Sequence, residues 1–156
     1  MCGIHFVLAK PSAPFALSAF FKQAFLTNQL RGTDSSGVFA VQDLRGKKPV
    51  LSLKAAENGQ TFAETSRKFS EEVHRTPLTV GHVRARTHGE VTEANAHPFR
   101  VERKDGSFII GVHNGSLLNW RANIDADKYE VDSQWLYSKI AEDGLEAFAG
   151  FDGAYS

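Results

Sequence analysis
The chain opens Met1-Cys2-Gly3-Ile4, and among its 156 residues these are the only methionine and the only cysteine. Cysteine is small enough for an initiator methionine to be trimmed in front of it. Trimming would leave a thiol and a free α-amine on one leading residue. An α-amine titrates at about 7.7–8.0, so it can take a proton from a neighbouring thiol and later return one to a departing amine. One residue then supplies both nucleophile and base. The competing explanation is an inert buried thiol, because free cysteine is among the most buried residue types. Residues 3–9 are apolar and read as a short strand, with Pro11 and Pro14 beyond its end.

Further along, residues 15–30 place Leu17, Phe20, Phe21, Ala24 and Phe25 at helical spacing. Ser12 is a candidate cap for this helix, and Pro14 suits its first turn. Residues 31–37 form a polar stretch bounded by glycine and read as a loop. Residues 38–42 and 49–53 alternate like two strands of a hairpin around the turn 45–48. Residues 61–73 read as a second amphipathic helix with Phe62, Phe69 and Val73 inward and a solvated charged face. Residues 78–83 read as a strand. The polar run 84–98 lacks a period and reads as a long loop, which in a compact domain usually carries function.

A second hairpin is expected over 99–103 and 107–112, then a turn at 113–115 and one or two helical turns over 117–123. Residues 132–142 read as a third helix with Leu136 and Ile140 on one face and Gly144 as its stop. Residues 151–156 begin another strand. Helices segregated from hairpins indicate an α+β layered architecture.

The length favours one domain over residues 1–156. Lys plus Arg balances Asp plus Glu at 18 each, which excludes the basic footprint of a nucleic-acid binder. No apolar run approaches the ~20 residues of a membrane span, and no basic stretch precedes an apolar one as in a signal peptide. A single cysteine forms no internal disulfide, which fits a reducing cytoplasm. His82, His88, His97 and His113 fit no standard zinc spacing, so no metal or other cofactor is expected. No Gly-x-Ser-x-Gly elbow is present.

Four segments occur in an order that resembles the class II glutamine amidotransferase domain. They are Cys2-Gly3-Ile4; Arg31-Gly32-Thr33-Asp34-Ser35-Ser36-Gly37; Gly81-His82-Val83-Arg84-Ala85-Arg86-Thr87-His88-Gly89 continuing to Asn95-Ala96-His97-Pro98; and Val112-His113-Asn114-Gly115. Val131-Asp132-Ser133 is a weaker fifth. Within the family, the likeness is to the glutaminase domain of glucosamine-6-phosphate synthase. The resemblance implies the N-terminal-nucleophile hydrolase fold, a four-layer αββα sandwich of two antiparallel sheets between helix layers. It also implies release of ammonia from the glutamine side chain, with a synthase domain or subunit as its acceptor.

Each matching residue then acquires an expected role. The Cys2 sulfur would attack the amide carbon. Asn114 through its side chain and Gly115 through its backbone N–H would hold the oxyanion, where losing one donor costs about 10²–10³ in rate. Read alone, Asn-Gly is simply a tight turn, which is compatible with that role. Arg84 would take the substrate carboxylate, for which a planar bidentate donor is suited. Thr87 and His88 would stand beside it on the closing loop. Asp132 would take the substrate ammonium, although its position equally suits a helix N-cap. Arg31 and Asp34 would support the site from behind.

Two departures stand out. The synthase has a gating aromatic at the position of Ala85 and a small residue at that of Arg86. The family also begins a core strand where this chain reaches its last residues. The resemblance therefore implies a fragment, a shortened fold or completion by a partner chain. It leaves open an idle binding or regulatory subunit, or a hydrolase for another amide. An unpaired final strand would be an exposed edge.

Overall fold
In the computed structural model, the described residues are 1–9, 17–46, 48–69, 76–123 and 125–154. The expected cap Ser12, Pro14 and Val73 lie outside them.

The central sheet has four antiparallel strands in the order β1 (Gly3–Leu8), β4 (Leu78–Arg84), β2 (Ser35–Val41) and β3 (Val50–Ala55). In register, Gly3 faces Val83 and Val83 faces Ser36, so the leading residues lie beside the Arg84 end of β4. Side chains alternate across a strand. One face sends Val38 and Val83 into a core with Phe21 and Phe25 of α1 (Leu17–Asn28) and Phe62 of α2 (Gly59–Thr65). His5 shares that face, with its ring edge-on to Phe25 at 4.6 Å. A side chain at Gly81 would overlap the His5 ring, so Gly81 makes room for it.

The opposite face meets a second layer of two short antiparallel strand pairs, of which only the first is a hairpin. They are β5 (Phe99–Glu102) with β6 (Phe108–Gly111), and β7 (Ser116–Leu117) with β8 (Gly153–Ala154). The layers are tied together by Lys54, which donates to the carbonyls of Ala94 and Ala96 and lies over the Phe99 ring at 5.1 Å. Beyond these strand pairs, α3 (Asp132–Asp143) contributes Trp135, Leu136 and Ile140 to a second core with Leu117 and Trp120. The result is the expected order of helix layer, two antiparallel sheet layers and helix layer.

Several expectations need correction. Ser35, Ser36 and Gly37 are not loop but the buried start of β2. Paired on both sides by β3 and β4, they satisfy their backbone groups without needing apolar side chains. Residues 116–117 pair with β8, and the only helical geometry in 117–123 is a 3-10 turn at Trp120–Ala122. Phe20 is 37% exposed, because Phe21 and Phe25 take the inward stripe of α1. The second helix breaks at Ser66. The final strand is paired with β7. Gly144, at φ +78°, ends α3 as its sequence position implies.

Candidate active site
β1 delivers Cys2 to the end of the central sheet, where it is 9% exposed while Met1 is 82% exposed. The Cys2 backbone nitrogen donates to Asn114 Oδ1 at 3.0 Å. That nitrogen can only donate, so the Asn114 carboxamide is oriented with its oxygen toward Cys2 N and its NH2 turned away. Cys2 Sγ lies 3.7 Å from the Ala85 carbonyl oxygen. Arg31 Nε donates to the Cys2 carbonyl at 2.8 Å and so holds the leading residue from behind.

Asp34 brackets Ala85. Its backbone nitrogen donates to the Arg84 carbonyl at 3.0 Å, and its Oδ2 accepts from Arg86 N at 2.6 Å. Gly32 is required at this approach, because any side chain there would overlap the Arg84 and Ala85 backbone. Arg31 holds Cys2, and Asp34 holds the peptide beside the sulfur.

Arg84, at the end of β4, is only 4% exposed. Its guanidinium donates to the carbonyls of His88 and Glu90, so the loop 85–90 folds back over it. Glu90 O also accepts from Asn95 Nδ2, which in turn donates to Glu130 Oε2 at 2.6 Å. Thr87 is exposed, and His88 is half-buried with its ring edge-on to Trp120 at 6.0 Å.

Asp132 is buried and is the first residue of α3; the N-cap position belongs to Val131, which makes no side-chain cap bond. One Asp132 oxygen accepts from Leu117 N at 2.9 Å and the other from Ser133 N at 2.8 Å. Its carboxylate thus pins the strand that follows the Asn114-Gly115 corner. At Gly115 a side chain would overlap the Ala154 carbonyl, so glycine is needed there for the β7–β8 pairing.

Electrostatics join these groups. Burial pushes the Cys2 thiol up, Asp132 adds to this, and Arg84 opposes it. Burial disfavours the Arg84 charge, while Cys2, Asp34 and Asp132 favour it. A sulfur nucleophile, a buried cation and a buried carboxylate therefore lie within one electrostatic neighbourhood. Such a set can hold an amino acid by both its ends while sulfur meets its side chain.

Sequence reasoning gave no role to Ala85 as the sulfur's neighbour, to Ser133, or to Asn95. It weighed His82, His97 and His113 only as metal ligands. His82 could have been found from alternation, since it lies two residues before Arg84 on the same sheet face. Among the described residues no helix is long and apolar enough to cross a membrane.

The profile of the family described as glutamine amidotransferases class-II matches residues 31–141. The chain is 33% identical over 120 residues to the glutamine–fructose-6-phosphate aminotransferase (isomerizing) of Streptococcus agalactiae, covering 77% of this chain and 17% of that protein. Its counterpart in Lactococcus lactis is 32% identical over 166 residues, covering 100% of this chain and 25% of that protein. The chain thus spans between 17% and 25% of the length of these curated relatives. The solved structure of the allosteric regulatory enzyme of purine biosynthesis superposes with a TM-score of 0.70 at 19% identity, over 98% of this chain and 34% of that one, which shows a shared fold. With most of its length matched by this one family profile, the chain belongs to the class II glutamine amidotransferases.

Proposed function
We propose that residues 1–156 belong to a single glutaminase domain that hydrolyses the side-chain amide of glutamine to glutamate and ammonia. The observation that supports the reading is the bond between Cys2 N and Asn114 Oδ1, which brings the Asn114 carboxamide against Cys2. Once Met1 is removed, that nitrogen becomes the α-amine, able to take the thiol proton. The sulfur attacks the amide carbon, and the oxyanion is held by Asn114 Nδ2–H and Gly115 N–H. The amine returns the proton to the leaving nitrogen, ammonia departs, and a γ-glutamyl thioester remains. Water then hydrolyses the thioester and regenerates the thiol.

Arg84 takes the substrate carboxylate and Asp132 its ammonium. Thr87 and His88 stand on the loop that closes over the substrate. The ammonia acceptor is a synthase domain or subunit; the curated relatives are named for transfer from glutamine to fructose 6-phosphate. A cytoplasmic setting keeps the lone thiol reduced. The test is to mix methionine-trimmed protein with glutamine and measure glutamate. A folded, trimmed sample that releases none, and whose Cys2 is not labelled by a glutamine-like electrophile, removes the reading. Replacing glutamine by asparagine tests the alternative amide.

One observation favours an idle binding subunit instead. The Arg84 guanidinium is already engaged by the loop carbonyls of His88 and Glu90. Intact mass separates the two readings, because a retained Met1 blocks the amine.

A further inference from the structure
His82 is fully buried on β4, on the face that also carries Arg84. Its Nε2 lies 3.1 Å from the carbonyl oxygen of His113, the residue immediately before Asn114. A carbonyl only accepts, so Nε2 carries the proton and the ring is the donor. His82 Nδ1 is buried without a partner, as suits the bare nitrogen of that tautomer. The His97 ring stacks against it with centroids 4.0 Å apart, which fixes the ring plane. Burial pushes the His82 imidazole down to about 3, so it is neutral at working pH.

The corner that follows is clamped at both ends. Upstream, His113 is held through its carbonyl by His82 and through its Nδ1 by Ser133 Oγ at 2.8 Å. Downstream, Leu117 N is held by Asp132. Between these clamps lie Asn114 and Gly115, the residues whose N–H groups the proposed function assigns to the oxyanion. Displacing such groups by about 1 Å costs on the order of 10² in rate.

We propose that His82 is a positioning residue for the glutaminase reaction: the N–H it donates to the His113 carbonyl sets the orientation of the Asn114-Gly115 corner that receives the oxyanion. This rests on the glutaminase reading. It predicts an effect on the chemical step, because the hydrogen bond of His82 goes to the His113 carbonyl and not to the His88 and Glu90 carbonyls that Arg84 holds.

The experiment compares His82→Gln, His82→Asn and His82→Leu in the methionine-trimmed full chain. Glutamine places its amide NH2 near the Nε2 position, whereas asparagine stops short of the carbonyl. The expected result is a kcat lowered about 10- to 100-fold in His82→Asn and His82→Leu with KM within about twofold, and recovery to within about fivefold of the parent in His82→Gln. Equal kcat in the Gln and Asn variants, an unchanged kcat in the Asn variant, or a loss confined to KM overturns the proposal. If the Leu variant fails to fold, the Gln and Asn pair decides.

A readout independent of turnover accompanies this. Long-range ¹H–¹⁵N spectra of the parent imidazoles are expected to show His82 as the Nε2–H tautomer at neutral pH. An Nδ1–H tautomer in an active protein overturns the His82 proposal alone. The Nε2–H tautomer in a trimmed chain that releases no glutamate overturns the glutaminase reading instead.

Discussion
Cys2 N donates to Asn114 Oδ1 across 3.0 Å, joining residues 112 positions apart in the chain. The bond fixes which end of the Asn114 carboxamide faces the nucleophile. A peptide nitrogen only donates, so it selects the amide oxygen and turns the NH2, the proposed oxyanion donor, to the other side. A single hydrogen bond thereby orients both the leading residue and the donor opposite it.

Asn114→Asp keeps an oxygen for Cys2 N but removes the side-chain donor. Its kcat for glutamate release is expected to fall about 10²–10³-fold, with KM changed far less. Asn114→Ala should fall at least as far. Steady-state kinetics on both variants check this, and a kcat near the parent's in Asn114→Asp would remove Asn114 from oxyanion binding.

Arg84→Lys replaces a planar fork by a point charge. It loses the paired bonds to the His88 and Glu90 carbonyls and the bidentate grip on a carboxylate. KM for glutamine is expected to rise about tenfold or more, each tenfold corresponding to about 1.4 kcal/mol. Binding of glutamate, followed by titration calorimetry, should weaken in parallel. Unaltered affinity would place the carboxylate elsewhere.

Gly115→Ala drives a methyl group into the Ala154 carbonyl, whereas Gly150→Ala meets nothing within 4 Å. The first is expected to lose activity about 100-fold and to shed stability by more than 1 kcal/mol, the second to stay within about 0.5 kcal/mol of the parent. Urea denaturation and glutamate release measure the contrast. Equal behaviour of the two would mean the β7–β8 pairing does not constrain the corner.

Burial lowers the pKa values of His5 to about 4 and of His82 to about 3, and those of His97 and His113 in the same direction. In the unfolded chain each titrates near the usual 6.5. Their contribution to stability is complete above about pH 6.5 and is lost as pH falls toward the folded values, because the unfolded state then binds protons the native state refuses. Each such proton tilts stability by about 1.4 kcal/mol per pH unit within that window. Urea midpoints are therefore expected to fall steadily from pH 7 to pH 4. His82→Gln should show a shallower fall by one proton's worth, and a flat profile in the parent would contradict the buried neutral state.

Much of the fold was legible because its cues are local. The strand reading of residues 78–83, the alternation of 38–42 and 49–53 and the turn residues around Gly46 and Gly106 rest on cues that act over a few positions, and β4 and the two hairpins form where those cues lie. Ser35, Ser36 and Gly37 misled because their strand is held by two flanking partners rather than by its own side chains. The pair Ser116–Leu117 misled for a related reason: its partner, Gly153–Ala154, is far along the chain. Asp132 had two readings in sequence. The structure rejects the N-cap and leaves a buried carboxylate gripping Leu117 N.

The sequence by itself determined the chemical inventory: one thiol near the amino end, an Asn-Gly pair after His113, an arginine and a carboxylate suited to an amino acid, and motifs in an order that resembles one family. Those are properties of covalent structure and short-range spacing. Only the tertiary structure decided that Arg31 grips the Cys2 carbonyl, that Asp34 clamps the peptide beside the sulfur, and that His82 reaches the carbonyl before Asn114. Such contacts join segments tens of residues apart, and they form only where packing two sheets together offsets the entropy of bringing those segments to one place.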